Sequence, residues 1–222
     1  MTERRVGVLG GTFDPIHSGH VDAGRAAAAA LGLTRMVVIP SNMPPHRPQP
    51  KTSTYHRFTM TAMAVAGLDG WRASDLELRA GSQSYTTSTL QQLHGRGYTA
   101  SELFFVIGAD AFLDIDSWRD YPAILDHAHF AVVARPGFPV GTFAARMPAL
   151  ADRMRRPPVD ALRPRDPVIW LIDADTTDVS STAIRHRIAQ GESISGLVPP
   201  AVQQHIEQHG LYTSRIPDRR GR

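Results

Sequence analysis

Five short, almost purely apolar runs punctuate the chain: "VGVLG" from Val6, "MVVIP" from Met36, "LFFVIG" from Leu103, "FAVV" from Phe130 and "VIWLI" from Val168. Each is too short for an ordinary helix and lacks the polar alternation of a half-exposed strand, as expected of strands buried on both faces. A further strand is predicted over "WRASDLEL" from Trp71. Helical spacing marks "HVDAGRAAAAALG" up to Gly32, "YHRFTMTAMAVAGL" from Tyr55 and "YTTSTLQQLHGRG" from Tyr85. It marks also "SWRDYPAILDHA" from Ser117, "SSTAIRHRIAQG" from Ser180 and "PPAVQQHIEQHGLY" from Pro199, which has proline at its start. Buried strands alternating with helices predict an α/β fold, a Rossmann-like doubly wound parallel sheet with helices on both faces.

One domain is expected over residues 1–212, its C-terminal helical part running from 180 to 212, with no internal repeat. The stretch "SNMPPHRPQPKTST" after Ile39 and Pro40 is a proline-rich loop. Residues 137–166, rich in Pro and Arg, read as an insertion or lid, or more simply as a surface loop. Residues 213–222 read as a solvated, disordered basic tail.

Composition changes this picture little, and charge changes it in one respect. The net charge of +3 suggests nucleic acid, but the last ten residues carry four arginines and one aspartate and account for all of it. No basic stripe remains, so neither nucleic acid nor membrane is an expected partner. Zero cysteines exclude thiolate metal sites and disulfides. With no apolar run of membrane-spanning length and no signal-peptide pattern at "MTERRVGVLGG", a cytoplasmic location is expected. Lys51 is the only lysine among the 24 basic residues, so a phosphate-binding cation here is expected to be arginine.

In open parallel sheets, ligands sit beyond the carboxyl ends of the strands. Four polar segments fall at such ends: "GGTFDPIHSGH", "PSNMPPHR", "IGAD" and "DVSST". Gly10 and Gly11 let backbone approach a ligand without a Cβ between. The following helix turns its N-terminus into the crevice, an arrangement suited to phosphate. His17 and His20, three apart, can face the crevice together and donate hydrogen bonds to phosphate oxygens. Neither a GxGxxG fingerprint nor a Walker loop is present. Zinc would need a third ligand, and His46 and His56, set on or beside a proline-rich loop, are poor supports for one. Ser180, Ser181, Thr182 and Arg185 read alone as a helix cap with an exposed arginine, and beside the first loop as a second anion site.

"GGTFDPIHSGH" with "SSTAIR" resembles the nucleotidyltransferase superfamily marked by T/HxGH and SSTxxR motifs. "PSNMPPHR", "LELRAGSQSYTTSTLQQL", "FFVIGADAFLDIDSW" and "FAVVARPG" narrow the resemblance to the bacterial nicotinate-nucleotide adenylyltransferases, from about Val6 to Tyr212. The resemblance implies transfer of AMP from ATP to nicotinate mononucleotide, yielding nicotinate adenine dinucleotide and pyrophosphate, with Mg²⁺ carried by the ATP phosphates. It implies catalytic roles for His17 and His20, and ATP contacts for Gly10, Gly11, Thr12, Phe13, Gly108, Asp110, Ser181, Thr182 and Arg185. Nicotinate-side roles would fall to Tyr85, Thr86 and Trp118, with Arg47 and Arg135 as further candidates. Trp118 read alone is as well explained as core, and Arg135 as part of a turn. Two positions depart from the family pattern: Arg47 stands where lysine is common, and Ser88 where the helix start often carries an acid. A homo-oligomer is compatible with this reading. The alternatives are an adenylyltransferase for another phosphorylated acceptor (the amide mononucleotide or phosphopantetheine) and a nucleotide-sensing module without turnover.

Overall fold

A computed structural model describes residues 4–45, 49–158 and 166–213. Seven parallel strands form one sheet in the order β3-β2-β1-β4-β5-β7-β6. They are β1 (Val6–Gly11), β2 (Arg35–Pro40), β3 (Trp71–Ala73), β4 (Leu103–Gly108), β5 (His129–Val133), β6 (Met154–Arg155) and β7 (Ile169–Ile172). Neighbouring side chains on each strand enter opposite cores. On β4, Leu103, Phe105 and Ile107 join one apolar cluster, while Phe104 and Val106 join the other. Both faces of the central strands are therefore dry, which is why these runs read as continuous hydrophobicity.

The first face is covered by α3 (Leu76–Ala80), α4 (Thr86–His94), α5 (Ala109–Phe112) and α6 (Phe143–Arg146), through Leu76, Leu90, Leu93, Phe112 and Phe143. The second is covered by α1 (Ser18–Leu31), α2 (Thr54–Val65), α7 (Ser181–Ala189) and α8 (Pro200–Gln208), through Ala27, Leu31, Met60, Ile184, Val202 and Ile206. Helix α1 owes its length to an alanine run and stops at Gly32, whose φ of 61° is the left-handed conformation that glycine adopts without strain. Among the described residues, no helix is long and apolar enough to cross a membrane.

Three expectations are corrected. The strand over "WRASDLEL" ends at Ala73, because β3 is an edge strand paired to β2 over only three residues, and Leu76 turns back as α3 to reach the core. "SWRDYPAILDHA" is not one helix but two short 3-10 turns, Ile115–Ser117 and Ala123–Asp126, separated by Asp120 at φ 65° and by Pro122. The stretch 137–166, as far as it is described, is more than a surface loop. Val140, Phe143, Leu150 and Met154 are buried, and β6 adds an edge strand to β7.

The fit of α1 on the sheet edge is tight at one glycine. A Cβ on Gly24 would lie 2.4 Å from the Trp71 ring. Gly24→Ala gains about 1 kcal/mol of helix propensity but should lose more, about 1–3 kcal/mol, to overpacking. Urea unfolding should show net destabilisation. The same substitution in a Trp71→Ala background should instead stabilise, and the same sign in both backgrounds would remove this contact as the cause.

Candidate active site

Strand β1 pairs with β2 on one side and β4 on the other, so the chain reverses its winding direction between β1 and β4. That switch point opens a crevice at the carboxyl ends of both strands. The loop entering it turns on two glycines of different kinds. A Cβ on Gly11 would lie 2.7 Å from the Phe13 ring, so packing itself excludes a side chain. A Cβ on Gly10 would meet Phe105 at an ordinary 3.5 Å, so packing within the chain does not itself require glycine there.

Phe13 takes φ 49°, a left-handed conformation uncommon for an aromatic residue. The loop is held there from below: the Arg57 guanidinium donates to the Thr12 carbonyl at 2.7 Å and to the Ser41 carbonyl at 2.6 Å. Phe13 is only 1% exposed, so its ring packs beneath the loop and any ligand contact falls to its backbone. The ring meets His20 edge-on, with centroids 4.9 Å apart.

His17 is the N-cap of α1, and its imidazole stacks on that of His20 with centroids 3.6 Å apart. The His17 backbone N–H donates to His20 Nδ1 at 3.2 Å. With Nδ1 as acceptor, the neutral His20 ring carries its proton on Nε2. His17 is buried, and its Nδ1 has no hydrogen-bond partner among the described residues. Burial, helped by the nearby Arg135 charge and opposed by Asp22, lowers the His17 pKa to about 3. At neutral pH the stacked ring is therefore uncharged. The glycine between the histidines also has a task. A Cβ on Gly19 would stand 2.9 Å from the Thr177 carbonyl oxygen, and Thr177 donates through N–H and hydroxyl to Asp22. The HxGH spacing thus lets the β7–α7 connection close onto α1.

That connection delivers the second motif. Ser180 caps α7 by accepting from the Ala183 N–H at 3.1 Å. Ser181 donates to the Pro15 carbonyl at 2.9 Å. Arg185 donates to the Asp14 carbonyl at 2.8 Å and to Thr182 Oγ1 at 3.1 Å. The two motifs, far apart in sequence, are brought into contact. At the end of β4, Gly108 leaves room for Asp110 and Arg135, either of which a Cβ would meet at 3.0 Å or less. Arg135 donates to the Val179 carbonyl at 2.9 Å and lies 3.7 Å from Asp110 Oδ2. It both shapes the turn, through backbone pairing with Phe138, and turns its charge toward His17.

Tyr85 is the N-cap of α4 and Thr86 its first residue. Arg119 lies over the Tyr85 ring at 4.5 Å, and its carbonyl accepts from Thr87 at 3.1 Å, which sets the α4 start beside Trp118. Trp118 is half-buried, edge-on to Phe105 with centroids 6.1 Å apart, and so is not simple core. Phe105 touches both this corner and the space above Gly10. Arg47 and His46 lie outside the described residues, and His56 stands on α2 rather than in the loop.

Sequence reasoning missed the supports. Arg57, Asp14 and Tyr212 form a buried polar hub in which Tyr212 donates to Asp14 Oδ1 at 2.7 Å and the Lys51 backbone N–H to Oδ2 at 2.9 Å. Asp14 was visible in "GGTFDP", but nothing in the sequence pointed to its partners.

A family model, Cytidylyltransferase-like, matches residues 8–187. A nicotinate-nucleotide adenylyltransferase of Salmonella typhimurium is 36% identical over 206 residues, spanning 92% of this chain and 97% of its own. That of Salmonella typhi matches to the same extent. Among solved structures, "Plasmodium falciparum nicotinic acid mononucleotide adenylyltransferase complexed with NaAD" is similar at a TM-score of 0.70, covering 95% of this chain and 98% of its own. At 19% identity that likeness speaks for the fold alone.

The buried His17 makes the fold acid-sensitive. In the unfolded chain it takes up a proton near its ordinary value of 6.5, in the folded protein only near 3. Between these values the unfolded state binds more protons, so stability falls as pH is lowered through this window. His129, lowered to about 4 by burial, acts in the same direction. His17→Asn should remove one proton's share of the slope of unfolding free energy against pH. Urea unfolding across the window measures it, and an unchanged slope would mean that His17 is protonated inside the fold.

Proposed function

The chain belongs to the cytidylyltransferase-like family and, within it, to the nicotinate-nucleotide adenylyltransferases, and on this footing we propose that it transfers AMP from ATP to the 5′-phosphate of nicotinate mononucleotide. The products are nicotinate adenine dinucleotide, a precursor of NAD, and pyrophosphate. The observation that carries the reading is the stacked His17–His20 pair at the head of α1, with Arg185 bonded to the Asp14 carbonyl of the loop that leads into it.

The mononucleotide phosphate oxygen attacks the α-phosphorus of ATP, and the bond to the bridging oxygen breaks, its electron pair leaving with pyrophosphate. No covalent enzyme intermediate is needed, and the protein contributes position and charge. His20, with its proton on Nε2, donates to an oxygen whose charge grows in the transition state, and His17 holds it in register. Gly10, Gly11 and Thr12 bring backbone against the nucleotide, and Gly108 and Asp110 bound it at the end of β4. Ser181 and Arg185 exchange their carbonyl partners in the first loop, and Thr182 its bond from Arg185, for the β- and γ-phosphates. A Mg²⁺ ion carried by the nucleotide would supply charge neutralisation at those phosphates. The chain's own groups fit such a nucleotide-borne ion: Asp14 is committed to Tyr212 and the Lys51 N–H, and Asp110 sits beside Arg135.

On the acceptor side, Trp118 offers a ring face for the pyridine, and the backbone N–H groups at Tyr85 and Thr86 meet the nicotinate carboxylate. The first turn of α4 carries no acid of its own, Ser88 included, and the nearby Glu77 carboxylate is occupied in accepting from Thr89. Arg135 and, outside the described residues, Arg47 are the cations assigned to the acceptor in this reading, and Arg119 lies over Tyr85. ATP and nicotinate mononucleotide meet in the cytoplasm, which is the expected location.

Purified protein with ATP and Mg²⁺ should release pyrophosphate with nicotinate mononucleotide and little with its amide or with phosphopantetheine. Release with another acceptor would overturn the Tyr85–Trp118 pocket. ATP binding without any release would make the protein a sensor. His20→Ala should lower kcat on the order of 100-fold, about 3 kcal/mol, with ATP affinity little changed. A rise confined to the KM for ATP would reduce His20 to a ground-state binder.

A further inference from the structure

We propose that His56, His205 and His209 form a second site, a three-imidazole seat for a zinc ion that staples α8 to α2 behind the active-site loop. The inference is independent of the reaction assigned above. The segment "HIEQH" sets His205 and His209 four residues apart, on one face at the end of α8. His56, in the first turn of α2, meets them from the opposite helix. One nitrogen from each ring lies within 4.8 Å of the other two, and His56 Nδ1 is 3.0 Å from His205 Nε2. Ring centroids are 5.2 Å apart for His56–His205, 4.9 Å for His56–His209 and 4.4 Å for His205–His209. A tetrahedral zinc ion with nitrogens at about 2.0–2.1 Å holds them roughly 3.3 Å from one another. Small ring rotations close the observed triangle to that size.

The donor set selects the ion. No carboxylate joins the group, and the chain has no cysteine, so the site offers imidazole nitrogen alone. Imidazole suits zinc and its transition-metal neighbours, whereas magnesium demands oxygen. This is therefore not the ion that travels with ATP. His209 is exposed, and His56 borders a cleft of about 530 Å³ lined also by Lys51, Ser53 and Tyr212. Water can thus reach a fourth coordination position.

The elements joined matter to the active site. His56 precedes Arg57, which holds the loop carbonyls, and α8 leads to Tyr212, which holds Asp14. A bound ion would stabilise the folded state by mass action and fix this hub from behind.

The test uses tag-free, nucleotide-free protein stripped with a chelator and titrated with Co²⁺, followed by its visible d–d bands, then displaced with Zn²⁺. Thermal unfolding with and without Zn²⁺ is the second readout. One equivalent of Co²⁺ in a tetrahedral environment and a raised Tm with Zn²⁺ are expected. His209→Ala, at an exposed position that does not threaten the fold, should weaken binding on the order of 100-fold or more and abolish the Tm rise. His205→Gln should do the same, while His20→Ala should keep the binding. Absence of saturable binding, equal binding in His209→Ala, or loss of binding in His20→Ala would each overturn the proposal.

Discussion

A buried guanidinium organises the carboxyl-end loops of this sheet. Arg57 is 1% exposed, and it donates to the carbonyls of Thr12, Ser41, Asn42 and Thr52. Taking an arginine out of water costs several kcal/mol unless its donors are met. Here the acceptors are backbone oxygens of the loops after β1 and β2, so those loops cannot drift without stranding a charge. Burial lowers the Arg57 pKa, and the Asp14 carboxylate opposes that shift, with Tyr212 and Glu77 acting in the same sense as Asp14. The hub lets Phe13 persist at a positive φ, and that turn aims His17 at the head of α1. A local strain is held by a non-local polar cluster.

Much of this fold was legible because its central strands are dry on both faces. Val6–Gly11, Arg35–Pro40 and Leu103–Gly108 have few ways to be anything but buried strands once their hydrophobicity is continuous. Legibility failed at the margins. Leu76 and Leu78 alternate like a strand, yet only Leu76 is buried, and an edge with three paired residues could not hold the rest. The 117–128 stretch has helical apolar spacing, but Pro122 and the positive φ of Asp120 break it into turns.

At the site, residue chemistry was easier to read than residue support. His17, His20, Ser181 and Arg185 stand out because few structural tasks need those types at those spacings. Arg57 does not stand out, since an arginine in an amphipathic helix looks like a solvated charge. The sequence does not show that the Phe13 ring is buried, because that burial depends on Gly11 lacking a Cβ. The histidines of α8 carried a readable signal, an i, i+4 pair. Their third partner lies 149 residues away on α2, a proximity only the tertiary fold supplies.

The division of charge within the site follows from the same constraints. Two imidazolium rings stacked at 3.6 Å would repel, and His17 is too buried to hold a proton near neutrality. The lasting positive charge beside the stacked pair is therefore left to Arg135 and Arg185, and in the proposed reaction the His20 N–H serves as a neutral donor. Such an arrangement suits catalysis by preorganisation. Arginine binds a triphosphate before and during reaction alike, which favours the ground state as much as the transition state. A neutral N–H fixed in direction gains most when charge grows on the oxygen it faces. Its direction is fixed here by the His17 N–H on Nδ1, by the stacked ring beneath and by the Phe13 edge. Each of those contacts depends on the turn that Arg57 holds. If His20 acts in the transition state, its effectiveness is set two residue layers below the substrate.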